Sequence, residues 1–211
     1  MRKAGIFLSL AAACLIAGSG GAALAQGFGS SVGYKFLDAV KKKDGDTVEK
    51  MLSSSGSKTT SGDIVINTRD NTSGDSALHL VIGLRDQKWL EYLIYKGADV
   101  NIRNFKGTTP LWLAISTNFI DGASVLIAKR ARVNDPGPAG ETPLIAAVHL
   151  KNLELIKTLI TAGADPTRAD NSGRNALDYS KLGGTSMMTS ELETATKATK
   201  AKKANAYGPS F

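Results

Sequence analysis

Apolar residues recur along most of the chain at helical spacing, in short runs separated by polar segments that contain glycine. After Thr142 and Pro143, the residues Leu144, Ala147 and Val148 follow i, i+3, i+4 spacing, which places them on one face of a helix. A threonine at the N-cap and a proline at the first helical position both favour a helix that begins there. The pattern therefore predicts a short amphipathic helix with a sharp start.

A second apolar stripe follows this helix directly. In the segment 153–166, LELIKTLITAGADP, the leucines and isoleucines again share one face. Gly163 is placed to end the helix in a left-handed conformation, which is the usual role of glycine after a helix. The two stripes together predict a pair of packed helices.

The pair is repeated along the chain. Gly74, Gly107, Gly140 and Gly173 lie 33 residues apart, and each precedes a similar run: DSALHLVI, TTPLWLAI, ETPLIAAV and RNALDYSK. A fixed period of this length indicates an array of repeats, in which each unit buries its apolar faces on its neighbours.

In these residues, from Asn67 to about Tyr179, the chain resembles the ankyrin-repeat family. The Thr-Pro-Leu motif and the KGADVN and AGADPT segments carry the resemblance. It implies an all-α repeat solenoid of stacked helix–turn–helix ankyrin repeats, joined by β-turn fingers. It also implies a protein-binding function, with the fingers and the inner helices forming one concave surface.

The repeat register divides the chain into eight segments. Both end units lack Thr-Pro-Leu, as expected of units that cap a stack. We predict a signal peptide at 1–25, a short linker at 26–33, an N-terminal capping repeat with a long loop at 34–70, ankyrin repeats at 71–103, 104–136 and 137–169, a C-terminal capping repeat at 170–196 and a basic tail at 197–211.

The second full repeat departs from the pattern at the end of its second helix. Arg130 stands where the other repeats have Gly97 and Gly163, and Arg132 stands where they have aspartate. A non-glycine residue in a left-handed site costs roughly 1 kcal/mol. Gly122, inside the second helix of the same repeat, adds a similar cost in helix propensity.

The first 25 residues have the pattern of a secretory signal. Arg2 and Lys3 precede an uncharged apolar stretch at 4–17, and Ala-Leu-Ala precedes Gln26. The stretch is short for a membrane span, which needs about 20 residues. Lipidation of Cys14 is the less favoured alternative, because alanine stands three residues before it. We therefore expect an exported protein of the bacterial periplasm that begins at Gln26.

The residues of the chain do not suggest catalytic or metal chemistry. His79 falls on the histidine of the family's Thr-Pro-Leu-His motif, where the resemblance implies a hydrogen bond that braces the turn. His149 has no second histidine or cysteine at ligand spacing, and neither histidine has an evident catalytic partner. We expect no enzyme activity, no metal and no cofactor.

The net charge of +7 permits contact with anionic surfaces without establishing one. We expect a monomer with an unidentified protein partner and no nucleic-acid binding, since aromatic and basic residues are not interleaved. The alternatives are a structural envelope factor held weakly to anionic membrane or polymer by the basic tail, and an immunity-type inhibitor of an exported toxin.

The predicted binding surface takes its residues from the finger tips and the inner helices. Its centre is Phe105, an aromatic residue at a finger tip between two cations, because aromatic and arginine side chains often dominate binding energy. The full set is Arg103, Phe105, Lys106, Thr108, Ser116, Thr117, Glu141, His149, Leu150 and Arg174.

Overall fold

The computed structural model describes residues 32–53 and 65–206. The predicted signal peptide and most of the predicted linker lie outside the described residues. Within the described ranges the chain forms α-helices and two short 3-10 turns, at Val65–Asn67 and Pro138–Gly140, and no strand. The helices are α1 Val32–Lys42, α2 Gly45–Ser53, α3 Ala77–Gly83, α4 Gln87–Tyr95, α5 Pro110–Ser116, α6 Ile120–Ala128, α7 Pro143–His149, α8 Leu153–Thr161, α9 Ala176–Gly183 and α10 Ser186–Ala206.

The Thr-Pro-Leu motifs start helices as the sequence predicts. The Thr109 hydroxyl accepts a hydrogen bond from the Trp112 N–H, and Thr142 accepts one from Ile145 N–H, both at 3.2 Å. Pro110 is the first residue of α5, a position whose N–H would have no partner within the helix. Each of these two helices therefore begins at its own threonine cap.

The helices form two layers, each packed in chain order. The inner helices α1, α3, α5, α7 and α9 pack on one another in sequence, and the outer helices α4, α6, α8 and α10 do the same. One continuous core runs through the stack, because apolar faces of successive repeats meet. The structure is thus the all-α repeat solenoid that the sequence predicts. None of the described helices is long and apolar enough to cross a membrane.

The array is closed at its first end by α1 and α2. Phe36, Val40 and Val48 are fully buried there, as their helical spacing predicts. An ion pair of 2.8 Å between Lys96 Nζ and Glu49 Oε1 links α2 to the end of α4. Both side chains are partly exposed, so apolar burial provides most of the stabilisation of this end.

The other end is closed by α10, which crosses the predicted boundary of the basic tail at residue 197. Met188, Leu192 and Thr196 are buried along one face. Near the end of the helix, Lys203 Nζ lies 2.9 Å from Asp165 Oδ2 and 3.0 Å from the Thr167 hydroxyl. The first ten residues of the predicted tail are therefore helical, and Lys203 among them contacts the last full repeat.

Candidate functional site

The fingers are tight turns that close on glycine. Gly74, Gly107, Gly140 and Gly173 have φ between 73° and 78°, a left-handed conformation that favours glycine over other residues. We number the fingers one to four by these glycines.

Side chains within the fingers brace the turns. Asp70 Oδ1 accepts hydrogen bonds from the N–H groups of Thr72 and Ser73, at 2.9 and 3.0 Å. The Thr72 hydroxyl also donates to it, and these bonds hold the pKa of Asp70 down to about 2. In the third finger Gly137 takes the equivalent place, and rigidity comes instead from Pro136 and Pro138.

Neighbouring fingers are joined through their backbones, except at one step. The N–H of Phe105 donates to the Ser73 carbonyl at 3.1 Å, and the N–H of Asn171 donates to the Ala139 carbonyl at 3.0 Å. Pro138 occupies the corresponding position of the third finger and has no N–H. The second and third fingers must therefore be joined differently.

Arg103 makes that connection with its side chain. Its Nη1 donates to the carbonyls of Gly107 and Pro136, at 3.0 and 3.2 Å. Its Nη2 lies 3.1 Å from Asp135 Oδ2. The guanidinium, predicted to face a partner, is thus largely used inside the protein to hold two fingers together.

Phe105 is exposed at the tip of the second finger. Its side chain is 64% exposed, and one ring edge covers Gly74, where an added Cβ would lie 2.6 Å from Phe105 Cδ1. One edge of the ring therefore contacts the preceding finger, and the remainder of the ring faces solvent. Lys106 beside it is also exposed.

The prediction that Thr108 belongs to the binding surface is wrong, since Thr108 is only 4% exposed. Its carbonyl accepts a hydrogen bond from His79 Nε2 at 3.0 Å, and its N–H donates to Asn104 Oδ1 at the same distance. The motif places this residue beneath the finger, where it connects successive repeats.

His79 braces its turn as the family resemblance implies. Its Nδ1 accepts from the Ser76 N–H at 3.2 Å and lies 2.9 Å from the Ser76 hydroxyl. Nε2 then carries the proton that is donated to Thr108. Burial holds the pKa of His79 below its ordinary value, because a charged imidazole loses solvation there.

Three of the predicted binding residues lie close together around Tyr179, and we call this group the Tyr179 cluster. His149 Nδ1 lies 2.8 Å from Glu141 Oε1, and its ring packs edge-on to Tyr179 with centroids 4.6 Å apart. The Arg174 guanidinium lies 6.0 Å from the Tyr179 ring centroid. The Tyr179 hydroxyl donates to Asp170 Oδ2 at 2.6 Å, and this bond is the main reason that the pKa of Asp170 is well below its usual range.

The remaining predicted residues lie at the ends of the inner helices. Ser116 and Thr117 are exposed, but both hydroxyls donate to the Leu113 carbonyl, at 3.0 and 2.8 Å. Leu150 is half-buried and packs against the core. These positions offer contact area rather than free hydrogen-bonding groups.

Tyr179 is a central residue that sequence reasoning did not identify. The repeat spacing places it in register with Leu80, Leu113 and Ala146 on the inner helices, and this register was the available signal. Trp112, by contrast, packs on the next repeat: an added Cβ at Gly137 would lie 2.4 Å from its ring.

The described residues contain no group of three or more histidine, cysteine, aspartate or glutamate side chains that could hold a metal ion. The arrangement at the fingers is one of exposed apolar and charged side chains on a braced backbone. Such an arrangement suits contact with another macromolecule.

Comparison with known protein families agrees with this geometry. A model of three ankyrin repeats matches residues 36–136, and a model of a single ankyrin repeat matches residues 139–171. The chain belongs to the ankyrin-repeat family.

Several curated relatives share the repeats over about half of this chain. It is 34% identical over 118 residues to Neurogenic locus notch homolog protein 1 of Danio rerio, which is 54% of this chain and 5% of that protein. It is 33% identical over 125 residues to ANK repeat-containing protein nipk-1 of Caenorhabditis elegans, 52% of this chain and 20% of that protein. It is 35% identical over 102 residues to ankyrin repeat protein FPV031 of fowlpox virus, 46% of this chain and 30% of that protein. The chain therefore spans less than a third of these relatives.

Proposed function

We propose that this ankyrin-repeat chain binds a protein partner through the row formed by its four fingers, here called the finger row, and the adjoining ends of its inner helices. Ankyrin repeats generally mediate protein–protein interaction. The observation that carries the proposal is the exposed Phe105 ring on a finger that is hydrogen-bonded to both its neighbours. An exposed aromatic on a rigid support loses little conformational entropy on binding, which favours a large contribution to affinity.

The Tyr179 cluster extends the same surface to the other end of the row. His149, Glu141 and Arg174 present one aromatic, one acidic and one basic group around the ring of Tyr179. Because these groups already contact one another, the free protein holds them close to one geometry. A partner that meets this cluster therefore needs little reorganisation of it.

The test is capture of a partner by the purified protein from an envelope extract, followed by measured affinity for the partner that is identified. We predict that Phe105→Ala weakens that affinity by about 10- to 100-fold, or roughly 1–3 kcal/mol. The melting temperature should change little, since most of the ring is outside the core.

Tyr95→Ala is the matched control, because Tyr95 is an aromatic that is 82% exposed on the outer helix α4. It should leave the affinity unchanged. Equal losses of affinity in the two variants would show that the binding face does not lie at the fingers. Unfolding of Phe105→Ala would instead assign the ring a structural role.

We also propose that the protein is exported to the periplasm, on the basis of the charged start, apolar stretch and Ala-Leu-Ala motif in residues 1–25. N-terminal sequencing of protein from cells should find Gln26 first. An intact Met1, or a lipid on Cys14, would contradict this processing.

Two other functions remain as alternatives. The exposed Lys197, Lys200 and Lys202 on α10 favour a weak attachment to anionic membrane or polymer, which should fall steeply as salt rises. A complex at the finger row should depend on salt much less. If the captured partner is an exported toxin and binding blocks it, the chain is an immunity-type inhibitor.

A further inference from the structure

Arg130 adopts a left-handed backbone at the end of α6, where the N–H groups of Arg130 and Ala131 donate to the Ile127 and Leu126 carbonyls, both at 2.9 Å. Its φ is 62°, at a position where two other repeats have Gly97 and Gly163 with φ of 98° and 94°. The side chain is exposed, and within residues 32–53 and 65–206 it has no hydrogen bond or ion pair. The helix end therefore explains the left-handed backbone, whereas the guanidinium itself faces solvent.

The side chain lies at an open groove between the C-terminal ends of α6 and α8. The groove has a volume of about 480 Å³. Its lining includes Ile127, Arg130, Arg132, Asn134 and Gly163. At the equivalent site one repeat earlier, Gly97 and Asp99 stand in place of the two arginines. The basic character therefore belongs to this groove in particular.

The acidic groups beside the groove do not neutralise it. Asp135 Oδ2 lies 3.5 Å from Arg132 Nε but only 3.1 Å from Arg103 Nη2, so its charge is shared. The other nearby carboxylate, Asp165, is paired with Lys203 at 2.9 Å. The Arg132 side chain is 63% exposed. Two guanidinium groups therefore face solvent with less than one counter-charge between them.

A helix C-terminus attracts cations, which offers a simpler account of the charge. Lys129, at the C-cap of α6, already meets that need with an ordinary negative φ of −88°. A further cation in a left-handed site is not needed for the helix. The dipole therefore explains Lys129 better than it explains Arg130.

The groove continues into a second depression along the outer helices. This depression has a volume of about 350 Å³, and it shares Ile127 and Ala162 with the first. Glu154, Lys157 and Thr158 line it further along α8, so this part of the surface carries one acidic and one basic side chain and the net positive charge lies at the arginine end. The two together form a channel between α6 and α8 with arginines at one end, which fits an extended peptide better than a small ion.

We propose that Arg130 and Arg132 bind carboxylate side chains of an acidic, extended segment of a protein partner, laid between α6 and α8. Guanidinium groups pair with carboxylates through two parallel hydrogen bonds, which gives orientation as well as attraction. The inference rests on the proposed function in that the partner is a protein. It uses a surface on the outer layer of the stack, which is linked to the finger row through Asp135, since Asp135 lines the groove and also pairs with Arg103.

The test is direct binding of a fluorescent peptide of eight glutamates to the full chain, measured by anisotropy, with an uncharged peptide of eight glutamines as the comparison. Arg130→Asn with Arg132→Gln removes both charges, and asparagine tolerates a left-handed conformation. We expect affinity for the acidic peptide to fall at least about tenfold, and to weaken as salt rises.

The control is Lys50→Gln with Lys88→Gln, which makes the same change in net charge on exposed positions of α2 and α4. It should leave peptide affinity unchanged. Equal weakening by the two double variants would show attraction by net charge alone and overturn the proposal.

Failure of the wild-type chain to bind the acidic peptide would also overturn it. So would binding of anionic lipid vesicles, in place of the peptide, with the same dependence on Arg130 and Arg132. The peptide measurement does not involve Phe105, so its failure and failure of the finger-row complex are separate results.

Discussion

At the residue scale, the ring of Phe119 restricts position 122 to glycine. Gly122 is buried in α6, and a Cβ added to it would lie 2.3 Å from Phe119 Cε1. Alanine has the better helix propensity by about 1 kcal/mol, but the ring would have to move within a packed core. We predict that Gly122→Ala destabilises the protein by about 1–3 kcal/mol in urea unfolding.

Gly83→Ala is the control for that substitution. Gly83 is the last residue of α3, and nothing lies within 4 Å of its added Cβ. The stability of the Gly83→Ala protein should equal that of the wild type or be slightly higher. A stabilised Gly122→Ala protein would mean that Phe119 repacks at little cost.

Arg130 gives a second prediction, from its backbone alone. Arg130→Gly should stabilise the protein by up to about 1 kcal/mol, because glycine adopts φ near 62° without strain. Gly163→Ala, at φ 94°, is the reverse experiment and should lower stability. Loss of stability in Arg130→Gly would show a contact of the side chain that outweighs its strain.

His79 makes the stability of the first repeat depend on pH. Since its folded-state pKa lies below the unfolded value of about 6.5, the unfolded chain takes up the proton more readily. Stability from this residue is thus present above about pH 6.5 and is lost as pH falls below it. The free energy of unfolding of the wild type should fall more between pH 7 and 5 than that of His79→Gln. Parallel profiles for the two proteins would exclude this role.

The sequence predicted backbone conformation at these positions better than it predicted side-chain contacts. The left-handed site at Arg130 followed from alignment with Gly97 and Gly163, because repeats share backbone geometry. The requirement for glycine at 122 did not follow, because it depends on where the Phe119 ring lies in three dimensions.

At the scale of elements, α10 is held by few apolar residues for its length. Leu192 is fully buried against the last repeat. We predict that Leu192→Ala destabilises the protein by about 2–5 kcal/mol, measured by thermal or urea unfolding. Met187→Ala is the control, because that side chain is 68% exposed and should contribute little. Equal effects of the two changes would mean that α10 detaches as a whole.

Helix starts could be predicted from sequence, but the end of α10 could not. The threonine caps and Pro110 or Pro143 act within a few residues, so local sequence is sufficient there. After Leu192 the helix contains no large apolar side chain. Beyond the buried Thr196, the contact of Lys203 with Asp165 holds the helix to the stack. That contact spans 38 residues of chain and has no local signature.

At the scale of the whole molecule, the period of 33 was sufficient to predict the order of packing and the row of fingers. The candidate site was predicted only in part. Phe105 and Lys106 are exposed at a finger tip, whereas Thr108 is buried and Arg103 is used in bracing. The cluster around Tyr179 was missed as a unit, because it combines residues from two successive repeats.

The missing N–H of Pro138 has a mechanical consequence for that row. Fingers one and two, and fingers three and four, are each coupled by an amide hydrogen bond that dissolved ions barely affect. The middle joint depends on the Arg103 side chain and its ion pair with Asp135, whose attraction weakens as ions accumulate around it. The row therefore consists of two rigid pairs of fingers with a more flexible joint between them, and this joint becomes more flexible as ionic strength rises.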